Sequence, residues 1–67
     1  MNASRLKIDS MYKYMRDGGK SNIKYLGMDE DKYKFAAIMA NGKQFGPAGR
    51  LTEYEILKYV QPWKQNY

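Results

Sequence analysis

The 67-residue chain carries twelve basic and seven acidic side chains, for a net charge of +5, and it contains neither cysteine nor histidine. A chain of this length forms one small domain, near the lower size limit for folding without a metal or a disulfide. The two missing residue types exclude disulfides, thiol catalysis, the usual zinc ligands and the side chain best suited to proton transfer near neutral pH. We therefore expect a non-enzymatic protein that uses no metal and no cofactor.

The first element that the sequence predicts is a helix over residues 4–17. Ser4 is a suitable N-cap, and Gly18-Gly19 is a suitable stop because glycine readily adopts the left-handed conformation after a helix. A competing interpretation makes residues 5–9 a strand and begins the helix at residue 9 or 10. The longer helix is favoured by four apolar side chains at the i, i+3, i+4 and i+7 spacing of one helix face, namely Ile8, Met11, Tyr12 and Met15.

A three-stranded antiparallel meander is predicted next. Its strands are expected over residues 22–28, 32–40 and 43–45. Asn41-Gly42 predicts a two-residue type I′ turn, because both central residues of that turn need a positive φ. A three-residue loop, Asp29-Glu30-Asp31, connects the first two strands. The two connections set three pairs of residues opposite each other: Tyr25 with Phe35, Met28 with Lys32, and Ile38 with Phe45.

A second helix is predicted from Glu53 to about Val60 and is ended by Pro62. It begins with a capping box, in which the side chains of Thr52 and Glu55 satisfy the free backbone N–H groups at the helix start. Trp63 is expected to fold back over the core, and residues 64–67 are expected to form a loose tail. The predicted fold is therefore a single α+β domain over residues 1–67, with the order α-β-β-β-α.

Alternation along the strands divides the predicted sheet into two faces. One face has no charged side chain and is expected to meet the helices: Ile23, Tyr25, Tyr33, Phe35, Ala37, Met39 and Gln44. The other face mixes lysines with apolar residues and is expected to lie in water: Lys24, Leu26, Met28, Lys32, Lys34, Ala36, Ile38, Ala40, Lys43 and Phe45. If one helix packed on each side of the sheet, this second face would instead be core.

The lysine-bearing face is the best candidate for a binding surface. The main hypothesis is a protein-interaction adaptor or inhibitor, in which lysines surround an apolar centre and select an acidic protein partner. The exposed edge of a short third strand also allows strand addition or a homodimer. The predicted partner-binding residues are Lys24, Leu26, Lys32, Lys34, Ile38, Lys43 and Phe45.

Sequence-independent nucleic-acid binding is the alternative function for the same face. Lysines on that face supply phosphate contacts, and Lys20 and Arg50 are possible additional phosphate contacts near its edges. An enzyme is not expected, because each of the seven acidic residues has a structural role in a turn, a capping box or a helix ion pair. No stretch has the length of a membrane span, and a cytoplasmic location is expected.

Overall fold

Five antiparallel strands form one sheet in the computed structural model, which describes residues 1–63. The strand order is β4-β3-β2-β1-β5, and the short helix α1 precedes the last strand. The predicted order α-β-β-β-α is therefore wrong, because the chain begins with a 3₁₀ turn and a strand rather than with an α-helix. The elements are the 3₁₀ turn Ala3–Arg5, β1 Met11–Arg16, β2 Gly19–Asp29, β3 Lys32–Ala37, β4 Gly49–Leu51, α1 Glu53–Tyr59 and β5 Val60–Pro62.

Strand β1 occupies part of the segment for which a helix was predicted. Its six residues alternate as well as they repeat with helical spacing, so the local pattern permits both structures. Tyr12 is buried in the core and Tyr14 packs against that core. Pairing with β2 on one side and β5 on the other satisfies the backbone hydrogen-bonding groups of this segment. The segment therefore forms a strand and not a helix. Both the helix over residues 4–17 and the competing interpretation, which also included a helix, are wrong.

The connection between β1 and β2 is a tight hairpin and not the end of a helix. Arg16 pairs with Gly19, which leaves Asp17 and Gly18 as a two-residue loop. The φ angles of these loop residues are 53° and 81°. Two consecutive positive φ angles are what a type I′ turn requires, and Asp-Gly is among its preferred sequences.

A β-bulge lies in the pairing of β2 with β3. The predicted pair of Tyr25 with Phe35 is confirmed, but Met28 pairs with Tyr33 and not with Lys32. The register shifts by one residue at Leu26, so the loop between the strands contains two residues rather than three. Met28 consequently lies on the same side of the sheet as Tyr33, which packs against the core. The prediction that placed Met28 on the lysine-bearing side is therefore wrong.

The predicted third strand over residues 43–45 is reduced to one isolated bridge between Ile38 and Gln44. The backbone N–H of Gly42 donates to the carbonyl of Met39 at 2.8 Å, and Gly42 has a φ of 88°. This geometry is typical of a three-residue connection with glycine in the left-handed position, so the predicted two-residue turn is wrong. The strand that pairs with β3 is β4, later in the chain.

Helix α1 begins with the predicted capping box. The backbone N–H of Glu55 donates to the Thr52 hydroxyl at 3.2 Å, and the backbone N–H of Thr52 donates to the Glu55 carboxylate at 2.9 Å. The helix ends at Tyr59, and Val60 then continues in an extended conformation as the first residue of β5. None of the helices in the described part of the chain is long and apolar enough to cross a membrane.

The core lies between α1, the 3₁₀ turn and one side of the sheet. The prediction that Ile23, Tyr25 and Phe35 face inward is confirmed. Trp63 is 42% exposed and is not one of the core residues that the structure describes, while the predicted tail over residues 64–67 lies outside the described residues. The buried core cluster consists of Ala3, Tyr12, Ile23, Tyr25, Phe35, Ile56 and Val60.

Candidate nucleic-acid interface

Most of the cations of the sheet lie on the side that faces away from the core, and we call this side the outer face. Residues directly opposite each other in antiparallel strands point to the same side, so the register identifies its members. Lys24 pairs with Ala36, and Lys34 pairs with Arg50, which joins β2, β3 and β4. The cations of the outer face are Lys13 on β1, Lys20 and Lys24 on β2, Lys32 and Lys34 on β3, and Arg50 on β4.

The outer face carries a net charge of +5. It carries six of the twelve basic side chains and one of the seven acidic side chains, Asp29, which pairs with Lys32 in the register. The other described residues carry five basic and six acidic side chains, and Lys64 lies outside the described residues. In the described part of the chain, positive charge is therefore concentrated on the outer face.

Few of these cations have an acidic partner within the part of the chain that the structure describes. The guanidinium of Arg50 lies 3.4 Å from the Asp29 carboxylate. The five lysines of the outer face form no ion pair with any described residue. Lys13 instead places its Nζ 5.6 Å from the centre of the Trp63 ring, in a cation–π contact. The ammonium groups of the outer face thus retain their capacity to bind an anion.

The predicted site residues fall into two groups. Lys24, Lys32 and Lys34 share the outer face as predicted, and Lys20 and Arg50 lie within it rather than beside it. The three-residue turn changes the register at the other end, because the N–H of Phe45 donates to the carbonyl of Ala37. Alternation then puts Lys43 and Phe45 on the side of Ala37, whereas Gln44 moves to the side of Ile38. That any of these residues binds a partner stays a prediction.

The apolar centre predicted for this face is not assembled. Phe45 is 66% exposed but lies on the other side of the hairpin, while Leu26 and Ile38 are partly buried at the bulge and at the isolated bridge. Ala36, in the middle of the outer face, is almost completely buried. The outer face therefore lacks the predicted three-residue apolar cluster.

Sequence reasoning missed Lys13 as a member of this face, because it was assigned to a helix. The available signal was the alternation of β1 together with the Asp-Gly sequence that follows it, which jointly indicate a hairpin. The same error concealed the position of Trp63. Because β5 pairs with β1, the chain after Pro62 leads Trp63 to Lys13 on the outer face and away from the core.

A cavity of about 440 Å³ lies beside the β1–β2 turn, and we call it the hairpin cavity. Both Tyr59, at the end of α1, and the β1–β2 turn contribute to its lining. Lys20 belongs to both the outer face and this cavity, so the two surfaces are continuous. The cavity is lined by Met15, Arg16, Asp17, Gly18, Gly19, Lys20, Lys58 and Tyr59.

Arg16 is fixed in place at the wall of the hairpin cavity. Its Nη1 donates to the Tyr14 hydroxyl at 3.1 Å and to the Glu55 carboxylate at 3.3 Å, and the guanidinium lies 4.6 Å from the centre of the Tyr59 ring. The hydrogen bond to Tyr14 is the main reason that the pKa of Arg16 is raised. Glu55 accepts the Thr52 backbone N–H, and this bond is the main reason that its pKa is lowered. Both groups therefore stay ionised at neutral pH.

Lys58 contributes a second cation on the helix side of the cavity. Its Nζ lies 5.7 Å from the centre of the Tyr54 ring and 5.5 Å from that of Tyr59. The neighbouring Tyr54 hydroxyl, and to a lesser extent that of Tyr59, raises the pKa of Lys58. Lys58 forms no ion pair with a carboxylate of the described residues, so its charge faces the cavity uncompensated.

A second cavity, of about 240 Å³, lies on the core side of the sheet, and its lining includes Ile23, Phe35, Pro47 and Leu51. Its one charged lining residue is Arg50, which is already paired with Asp29. Within residues 1–63, no three acidic side chains are grouped closely enough to hold a metal ion. The outer face and the hairpin cavity are the two surfaces on which described lysines form no ion pair with a described carboxylate.

Comparison with protein-family models, with curated proteins and with solved structures found no match to this chain. A function must therefore be inferred from the charge, geometry and exposure of these two surfaces alone.

Proposed function

We propose that the outer face binds nucleic acid through the phosphate backbone, without reading the base sequence. The observation that carries this proposal is that six cations and a single carboxylate, a net charge of +5, lie on one side of one sheet. A basic surface of this kind is the electrostatic footprint of nucleic-acid binding, because each ammonium that neutralises a phosphate releases a condensed counterion.

The dimensions of the outer face suit contact with several phosphates. Neighbouring strands are about 4.8 Å apart, so the cations of β1 to β4 extend over roughly 14 Å across the sheet. Lys20 and Lys24 on β2 are separated by about 13 Å along the strand. Lysine is a flexible point charge that does not select one base over another, so we expect sequence-independent binding.

An acidic protein is the second candidate partner. It is favoured by the positions of two partly buried apolar residues, Leu26 on β2 beside Lys24 and Ile38 directly after β3. Protein interfaces obtain most of their affinity from anchors in a desolvated centre, and Phe45 is no longer available for that centre. Nucleic acid is the better-supported partner, because backbone phosphates need no such anchor.

The test compares two double variants that lose the same charge. Replacing Lys32 and Lys34 with glutamine removes two cations from the outer face. Replacing Arg5 and Lys43 with glutamine removes two exposed cations that lie outside the outer face. Binding of a fluorescent single-stranded oligonucleotide is followed by anisotropy at several salt concentrations. The plot of log K against log salt should become shallower by about 1.4 for the Lys32/Lys34 variant, since each lysine–phosphate contact contributes about 0.7. The Arg5/Lys43 variant should retain the original slope.

Equal slopes for the two variants would refute the assignment of nucleic-acid binding to the outer face. The acidic-protein candidate is examined in the same assay with polyglutamate. If polyglutamate binds and requires Lys32 and Lys34, while the oligonucleotide does not bind at low salt, the second candidate replaces the first.

A further inference from the structure

The hairpin cavity has features that the outer face lacks. It is an open depression with a volume of about 440 Å³, and most of the residues that line it are exposed. Three cations line it, and the one carboxylate in its lining, Asp17, is 93% exposed and 4.0 Å from Arg16. Tyr59 and Met15 add an aromatic and an apolar surface. The lining therefore suits a ligand with an anionic end and a flat, less polar body.

We propose that the hairpin cavity binds a nucleotide by its phosphate monoester. Lys58 and Lys20 contact the phosphate, Arg16 offers the N–H groups of its Nη2, and the nucleoside lies against Tyr59 and Met15. The guanidinium is preorganised for this role, since both of its hydrogen bonds to Tyr14 and Glu55 come from Nη1. A guanidinium already held in place loses less conformational entropy when the ligand binds.

The charge of the ligand distinguishes a phosphate monoester from the internal phosphates of a strand. A monoester carries a charge of about −1.5 to −2 at neutral pH, whereas an internal phosphodiester carries a single charge. The three cations in the lining of the hairpin cavity favour the more highly charged group. The source of the monoester is either a free mononucleotide or the phosphorylated end of a strand that lies on the outer face, because Lys20 joins the two surfaces.

The first test uses small ligands and the full chain. Adenosine 5′-monophosphate and adenosine are titrated separately by calorimetry into the unmodified protein, into Lys58→Gln and into Lys43→Gln. We expect the monophosphate to bind and adenosine to give no measurable binding. Lys58→Gln should lower the affinity for the monophosphate by about tenfold, which is the equivalent of one hydrogen bond to a charged group. Lys43→Gln removes the same charge from an exposed position outside the cavity and should leave the affinity unchanged.

The second test identifies the source of the phosphate. Oligonucleotides of one sequence, with either a 5′-phosphate or a 5′-hydroxyl, are compared by anisotropy on the same proteins. Tighter binding of the phosphorylated strand, lost in Lys58→Gln, assigns the site to strand ends. If the free monophosphate binds but the 5′-phosphate and 5′-hydroxyl strands bind equally well, the site is assigned to free nucleotides.

The proposal is overturned if the monophosphate behaves like adenosine and the 5′-phosphate has no effect, or if Lys58→Gln and Lys43→Gln give the same affinities. This inference extends the proposed function, yet its failure can be recognised separately. The 5′-hydroxyl strand reports on the outer face alone, so its loss of binding in the Lys32/Lys34 variant supports the proposed function even where the cavity binds nothing.

Discussion

In this core, tyrosine side chains occupy positions that branched aliphatic residues occupy in other small proteins. Tyr12 and Tyr25 are each only 6% exposed. The Tyr25 ring lies 5.2 Å from that of Phe35 and 6.2 Å from that of Tyr33, within the range of favourable aromatic contacts. The Tyr12 hydroxyl accepts the backbone N–H of Lys7 at 2.9 Å, which satisfies its polar end. A chain with few branched aliphatic side chains thereby obtains a packed interior.

Burial of Tyr25 makes the stability of the protein sensitive to high pH. Desolvation raises the pKa of this phenol, with smaller contributions from Tyr33 and Tyr12. A group with a raised folded-state pKa stabilises the fold below its unfolded-state pKa of about 10, and that contribution is lost as the pH rises through the folded-state value. We expect the unfolding temperature of the unmodified protein to fall more steeply above pH 10 than that of Tyr25→Phe, as measured by circular dichroism. Parallel curves for the two proteins would show that Tyr25 is not desolvated.

At the level of the elements, the sequence predicted the structure correctly where the residues that determine a feature lie within one short segment. The capping box at Thr52 and Glu55 was correctly predicted because the residues that form it are three positions apart. The pairing of Tyr25 with Phe35 was also correct, since alternation fixes which side of each strand meets the core. These local features position α1 and the centre of the sheet.

The sequence was misleading where a distant strand decides the local structure. β1 has side-chain patterns for both helix and strand, and its pairing with β5, about fifty residues later, is invisible to a local reading. The bulge at Leu26 and the extra residue in the turn before Lys43 each shift the register by one. A shift of one residue exchanges the two faces, which explains why Lys43 and Phe45 were assigned to the wrong side.

Helix α1 has seven residues, so we expect its stability to depend strongly on its first turn. Thr52→Ala removes the hydroxyl that accepts the Glu55 N–H and should lower the free energy of unfolding by about 1 kcal/mol in urea titrations. Thr52→Ser retains an oxygen at this position and should cost much less. If the serine and alanine variants were equally destabilised, the capping hydrogen bond would not be the cause.

At the scale of the whole molecule, the arrangement of charge follows from the pleat of the sheet. Tyrosine and phenylalanine side chains enclose the core on one side, and the alternate positions of the same strands carry the cations of the outer face. The candidate surface was predictable in its centre, at Lys24, Lys32 and Lys34. Lys13 and the hairpin cavity were not predictable, because both depend on how β1 is placed beside β2 and α1.

Lysine footprinting tests the binding role of the outer face most directly. The protein is acetylated with a limiting amount of reagent, with and without a 5′-hydroxyl oligonucleotide at low salt, and the modified positions are quantified by mass spectrometry. We predict that the oligonucleotide protects Lys13, Lys20, Lys24, Lys32 and Lys34, while Lys43 reacts at the same rate in both samples. Protection of Lys43 with continued reaction of Lys24, Lys32 and Lys34 would contradict the assignment of nucleic-acid binding to the outer face.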